Sequence, residues 1–434
     1  MRDSWEVKSV LDLCNVKGGK RLPAGEEFDL GKTPFPYLRV TNMVNGSIDD
    51  SDLKYVKVEI EPLIRNYKIS KKDLYVTIAG TLGKFGSIPS HLDNAQLTEN
   101  AAKLCDINFE IIDKKYFKYY LNSRLMDKQI FREIGVGGGV PKLAIHRIQS
   151  LKVNLPKLLS EQKKIAQILS TCDTVLEQTE AAIAKYQAIK QGMLHDLFTR
   201  GIDLSTGQLR EPYKDAPDLY KETELGFVPK EWEVRVVKNL LKSNKLITYG
   251  IVQPGDYISD GVYMIRSQDY TKGWNGIETI MQVHSNIDKP YERSRVYTGD
   301  ILITVVGANV GRMAIVPDFL NKANISRSVA RISIDSEIID SKYCYYYLKS
   351  QITQILYANQ VGGAQPVINL KSLELFELAS PKEKREQIEI SKRVQSINDK
   401  IYAEQQTLAK YTQLKAGLMQ DLLSGVVGVE GLID

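Results

Sequence analysis

A stretch of 40 residues occurs twice in this chain, and that duplication limits the possible folds more than any short motif does. The first copy runs from Glu161 to Arg200 and the second from Glu386 to Gly425. Lys185-Tyr186 falls on Lys410-Tyr411, Gly192 on Gly417, and Asp196-Leu197 on Asp421-Leu422. Apolar or small residues recur at steps of three and four. In the first copy they include Ile165, Leu169, Cys172, Leu176, Thr179, Ile183, Tyr186, Met193 and Leu197. In the second they include Ile390, Val394, Ile397, Ile401, Leu408, Tyr411, Leu418 and Leu422. This spacing predicts two long helices, each with one apolar stripe that must be buried. Each helix is the natural partner of the other, so a mutual coiled coil is expected, with packing on separate domains as the alternative. At ~1.5 Å per residue, each helix is on the order of 60 Å long.

The repeat continues outside the helices. Trp5-Glu6-Val7 matches Trp232-Glu233-Val234, and Pro36 to Gly46 matches Tyr263 to Gly273, which places Arg39 on Arg266. Asp73 to Pro89 matches Asp300 to Pro317 with one gap, and Ala95 to Leu104 matches Ala323 to Ile332. Lys115 to Ser123 matches Lys342 to Ser350, and VGGGVP at 136–141 matches VGGAQP at 361–366. The chain is therefore two copies of one unit, a globular domain followed by a long helix. The expected divisions are a domain at 1–157, a helix at 158–200, a second domain at 232–381, a second helix at 382–425 and a tail at 426–434. Between the copies, 201–231 is polar, contains Pro and Gly, and reads as a linker.

Within each domain the pattern is mixed, so the fold class is α+β. Tyr75 to Ile78 and Ile301 to Val306 read as buried strands. Leu97 to Leu104 and Ile325 to Ile332 partly alternate, as strands do. Tyr116 to Arg132 and Tyr343 to Leu356 read as helical.

At 434 residues the chain is too long for one core. It has no apolar run of the ~18 residues that a membrane helix needs. MRDSWEVKSV is too polar for a signal peptide, and the four cysteines form no CxxC pair, which fits a reduced, cytoplasmic protein. The net charge of +5 is uneven, with +6 in residues 1–157 and +2 in 232–381. That placement favours a polyanion as partner of the domains. No phosphate-binding GxxxxGK[ST], zinc spacing or HExxH is present. Gly135, Gly137, Gly138 and Gly139 make no dinucleotide fingerprint. Pro317-Asp318 with Asp340-Ser341-Lys342 has a nuclease-like look, but the first copy has Pro89-Ser90 where the acid should be.

The ordered set of features, present twice, resembles the specificity (S) subunit of type I restriction-modification systems over essentially the whole length. Its carriers are the helix endings Ile189 to Phe198 and Leu414 to Leu423, and the helix beginnings, Pro156 with Glu161-Gln162 and Pro381 with Glu386-Gln387. The Gly-rich loops and the twofold repeat complete it. The resemblance implies that each globular unit is a target-recognition domain, and that an antiparallel coiled coil holds the two apart. It implies a non-catalytic subunit that carries two methylation (M) subunits and can be joined by motor-nuclease (R) subunits. It also implies no cofactor on this chain, with S-adenosylmethionine, ATP and magnesium on the partners. A spacer of ~60 Å exceeds the ~34 Å of one DNA turn, so the expected target is bipartite double-stranded DNA. A protein-binding scaffold with duplicated domains on a coiled coil is the alternative.

Base reading calls for Arg toward guanine and for Asn or Gln toward adenine. The candidates in the first domain are Arg39, Thr41, Asn42, Thr81, Lys84 and Asn100. Those in the second are Arg266, Gln268, Asn309, Arg312, Ser326 and Arg327. Shared positions suit scaffold or phosphate contact, and divergent ones suit base reading.

Overall fold

The computed structural model describes residues 4–133, 142–271, 273–357 and 367–433. The Gly-rich segments 136–141 and 361–366, together with Gly135, lie outside the described residues. Two compact units are found, one of residues 1–181 and 405–434, the other of residues 182–404.

In the first unit, Trp5–Ser9 pairs antiparallel with Lys152–Pro156, so the two ends of the globular segment are clasped together. A four-stranded antiparallel sheet follows the order Asn15–Gly18, Ala101–Cys105, Leu74–Thr77, Phe85–Gly86. In a second sheet, Pro36–Leu38 and Ala95–Leu97 lie parallel. Leu74–Thr77 is buried along its whole length because both of its faces are covered. Leu74 and Val76 join the core that holds the Trp5 side chain, whereas Tyr75 joins a second core with Leu38 and Leu97.

The second unit repeats this plan. Trp232–Val236 pairs with Glu377–Pro381, and Trp232 lies opposite Pro381 as Trp5 lies opposite Pro156. The four-stranded sheet runs Thr248–Tyr249, Val329–Ile332, Ile301–Thr304, Met313–Ile315. Val262–Ile265 and Asn324–Ile325 are the parallel pair. Ile301 and Ile303 enter one core while Leu302 enters another.

The long helices span Leu159–Thr199 and Lys384–Ser424. In the first unit, Ile165 and Leu169 from the start of one share a core with Leu422 and Leu423 from the end of the other. In the second unit, Leu197 and Phe198 share a core with Ile390 and Val394. The pair is antiparallel in both. Tyr411, expected in the seam, is 37% exposed. Two helices cover only one side of each other, so the margin of the apolar stripe stays open to water.

The glutamine at each helix start has a mechanical job. Gln162 accepts from the Asp113 amide at 2.8 Å and donates to the carbonyls of Ile111 and Pro156 at 2.9 Å. Gln387 accepts from the Asp340 amide and donates to the Pro381 carbonyl, both at 2.7 Å. Each glutamine thus fastens its helix to the backbone of the domain before it. Asp113 and Asp340 in turn cap the helices Lys114–Leu121 and Ser341–Ser350, accepting from the amides of Tyr116 and Tyr343. Asp340 is therefore a helix cap. Among the described residues, no group of three or more His, Cys, Asp or Glu side chains could hold a metal ion.

Two readings of the sequence change. The run from Leu97 to Leu104 is not one strand but the end of one and the start of another, in different sheets. The Thr98 amide bonds to the Leu38 carbonyl and the Ala101 amide to the Thr98 carbonyl, which turns the chain between them. Ile325 to Ile332 breaks in the same way at Ser326. The polar stretch after the first long helix is folded. It forms the hairpins Ile202–Asp203 with Gln208–Leu209 and Tyr220–Thr223 with Gly226–Pro229, and buries Ile202, Tyr220 and Val228.

Candidate nucleic-acid interface

In each unit three loops are drawn together at one end of the sheets. The first follows Pro36–Leu38, the second is the turn at 98–100, and the third joins Leu74–Thr77 to Phe85–Gly86. The Thr98 amide donates to Leu38 O at 3.1 Å, and the Ile78 amide donates to Asn100 O at 2.9 Å. The turn at 98–100 is thereby stitched to both neighbours. The second unit uses the same bonds, Ser326 N to Ile265 O at 2.9 Å and Val305 N to Ser328 O at 2.8 Å.

A glycine permits this approach in both. A Cβ on Gly19 would lie 2.1 Å from the Thr98 carbonyl oxygen, and one on Gly250 would lie 1.7 Å from that of Ile325. Backbone oxygens cannot move aside, so only glycine fits there. Gly80, Gly83, Gly307 and Gly311 all take positive φ, as turn formers do.

The candidate readers divide into two groups. Arg39 and Asn42 belong to the scaffold. The Asn42 carboxamide is 3% exposed, accepts from the Arg39 amide at 3.1 Å and donates to the carbonyls of Asp49 and Asp52 at 3.2 Å. With its hydrogen bonds spent on the loop, it has nothing left for a base. The Arg39 guanidinium pairs with Asp52 at 3.0 Å. Through that hydrogen bond, with Lys54 alongside, the Asp52 carboxyl is held below its usual range. Arg266 pairs with the fully buried Asp269 at 3.0 Å. The equivalent arginines thus brace equivalent loops, and their first partners at the third position onward, Asn42 and Asp269, are both buried.

Thr41 and Gln268 occupy the same loop position and are exposed. Thr81, Lys84, Arg312 and Arg327 are exposed as well. Asn100, Asn309 and Ser326 are half-buried, and Ser326 shares a 2.9 Å hydroxyl–hydroxyl bond with Ser328. Lys84 and Arg312 bring positive charge to the matching hairpin turn of each unit. Glu99, which is not among the candidates, is exposed at the tip of its turn, where the second unit has Arg327. The signal that could have found it is the reversal of charge between the two repeats.

A family model described as the type I restriction modification DNA specificity domain matches residues 2–186 and again residues 229–413. The type I restriction enzyme EcoBI specificity subunit of Escherichia coli is 28% identical over 402 residues, covering 92% of this chain and 80% of that protein. The MjaVIII specificity subunit of Methanocaldococcus jannaschii is 24% identical, covering 99% of this chain and 94% of that protein. Among solved structures, a type I restriction-modification S subunit from M. genitalium superposes with a TM-score of 0.58 at 17% identity, covering 97% of both chains. A structure from a study of complex assembly and conformational transition in the type I system gives 0.56 at 14% identity, covering 98% of both.

Proposed function

The chain belongs to the type I restriction modification DNA specificity family, and on that premise we propose that each of its two units reads one word of a split DNA target. The observation that carries this reading is a loop cluster built twice by the same backbone hydrogen bonds, with different side chains at its exposed positions. A shared scaffold with divergent tips is what two different words require. Lys84 and Arg312, basic in both units, suit phosphate contacts, which are the same whatever the sequence. On this reading Thr41, Thr81, Gln268, Asn309 and Arg327 meet base edges, and Asn100 and Ser326 shape the turn beneath them. The long helices act as the spacer between the words.

The chain supplies recognition and no chemistry. Two methylation subunits and the motor-nuclease subunits assemble on it in the cytoplasm, and S-adenosylmethionine, ATP and magnesium belong to those partners. The test is selection from a randomised duplex library by the chain assembled with its methylation partners. Recovered duplexes should share two short words at a constant spacing. One uninterrupted word, or no enrichment, would refute the reading.

A further inference from the structure

The turn between Ala95–Leu97 and Ala101–Cys105 carries an acid at its exposed tip, on a surface that meets a polyanion. Glu99 Oε2 accepts from the Thr98 hydroxyl at 3.0 Å, and the Tyr37 phenol lies 3.4 Å from the same oxygen. Tyr37 is 3% exposed, and its hydroxyl also reaches Lys20 O at 2.8 Å. Burial first, and the Glu99 carboxylate in addition, push the phenol up to about 12, so it stays protonated and remains a donor. The Thr98 hydroxyl thus holds the carboxylate from one side, with the buried phenol next to it, while the Glu99 side chain is otherwise exposed.

The internal duplication provides a control. Aligning Pro36 to Gly46 with Tyr263 to Gly273 puts Met264 at the place of Tyr37, and aligning Ala95 to Leu104 with Ala323 to Ile332 puts Arg327 at that of Glu99. The acid and the phenol beside it are replaced together. The Ser326 amide still bonds to Ile265 O and the Val329 amide to Ser326 O, as Thr98 and Ala101 do in the first unit, so the turn is kept while its tip changes sign.

Resting on the DNA reading above, we infer that Glu99 is a specificity-determining residue of the first unit, whose carboxylate accepts a hydrogen bond from an exocyclic amino group on a base edge. An ionised carboxylate only accepts. Phosphates repel it, and the donors that bases offer in the major groove are cytosine N4 and adenine N6. Arg327, at the same place in the second unit, would favour guanine instead. The two words then differ at corresponding positions because the two tips differ in charge.

The experiment compares wild type, Glu99→Ala, Glu99→Gln and Tyr37→Phe, each full-length and assembled with the methylation partners, on duplexes substituted at every target position. Wild type should discriminate by roughly ten- to a hundredfold at one base pair of the first unit's word. The base preferred there distinguishes cytosine from adenine. Glu99→Ala should lose that discrimination at that pair alone and bind mismatched duplexes at least as well as before, since a negative charge has gone. Tyr37→Phe should reduce it at the same pair by a smaller factor. An unchanged preference in Glu99→Ala, or a loss spread over both words, would overturn the inference and leave the DNA reading standing. A wild-type complex that selects no duplex would overturn the DNA reading and this inference with it.

Discussion

The Arg210 guanidinium forks onto the Glu386 carboxylate, Nη1 to Oε1 at 2.5 Å and Nη2 to Oε2 at 2.9 Å. Oε1 also accepts from the Ile202 amide at 2.9 Å and from the Trp232 indole at 3.2 Å. One carboxylate therefore ties together the folded stretch after the first helix, the first strand of the second domain and the start of the second helix. The side chains are 11% and 4% exposed. Removing Arg210 leaves a buried carboxylate short of its countercharge, so Arg210→Ala should cost about 3 kcal/mol of stability. Arg210→Lys, with a single point of charge in place of a fork, should restore only part. Thermal melting of the three proteins checks this.

Gly250→Ala should act locally. Its Cβ would lie 1.7 Å from the Ile325 carbonyl oxygen, and relieving such an overlap costs about 1–3 kcal/mol. The strand end must pull away from the turn that carries Arg327. Discrimination in the second unit's word should weaken while the first word is read as before. Gly19→Ala should produce the converse. Binding to duplexes substituted in one word at a time gives the comparison.

Asp300 is 2% exposed and accepts from the Tyr297 amide at 2.8 Å. Burial pushes its carboxyl above the ordinary aspartate value, against the pull of that amide and of Arg331. A group whose folded pKa is raised adds stability below its unfolded pKa and loses it as pH rises through the folded one. Asp300→Asn has no such charge to bury. The melting temperature of the variant relative to wild type should therefore rise between pH 4 and pH 7. A difference that falls over that range would contradict the sign.

The isolated chain, incubated with DNA, magnesium, ATP and S-adenosylmethionine, should neither methylate nor cut. Turnover by protein shown free of partner subunits would place chemistry in this chain and contradict its role as a recognition subunit.

The duplication, the helix pair and the buried strands were legible because periodicity and β-branched runs report burial directly. Positions fixed by tertiary approach were not. Nothing local marks Gly19 or Gly250 as the place where a strand end touches a turn. Asn42 has the right chemistry for adenine, yet its carboxamide is consumed by Asp49 and Asp52, residues seven and ten places on that no pattern joins to it. The folded stretch at 201–231 escaped because its composition is that of a linker. Its first hairpin is tied down by Glu386, far along the chain, through Ile202 and Arg210.

The first domain is proposed to read one word and the second domain the other. Gln162 holds the first domain through backbone atoms alone, the Asp113 amide and the carbonyls of Ile111 and Pro156, so a related domain can be seated in its place. Residues 1–157 are exchanged for those of a relative, the chimera is assembled with its methylation partners, and the methylated sites are mapped. One word should change while the other word persists. A chimera whose two words both change, or whose target stays as it was, would contradict that reading.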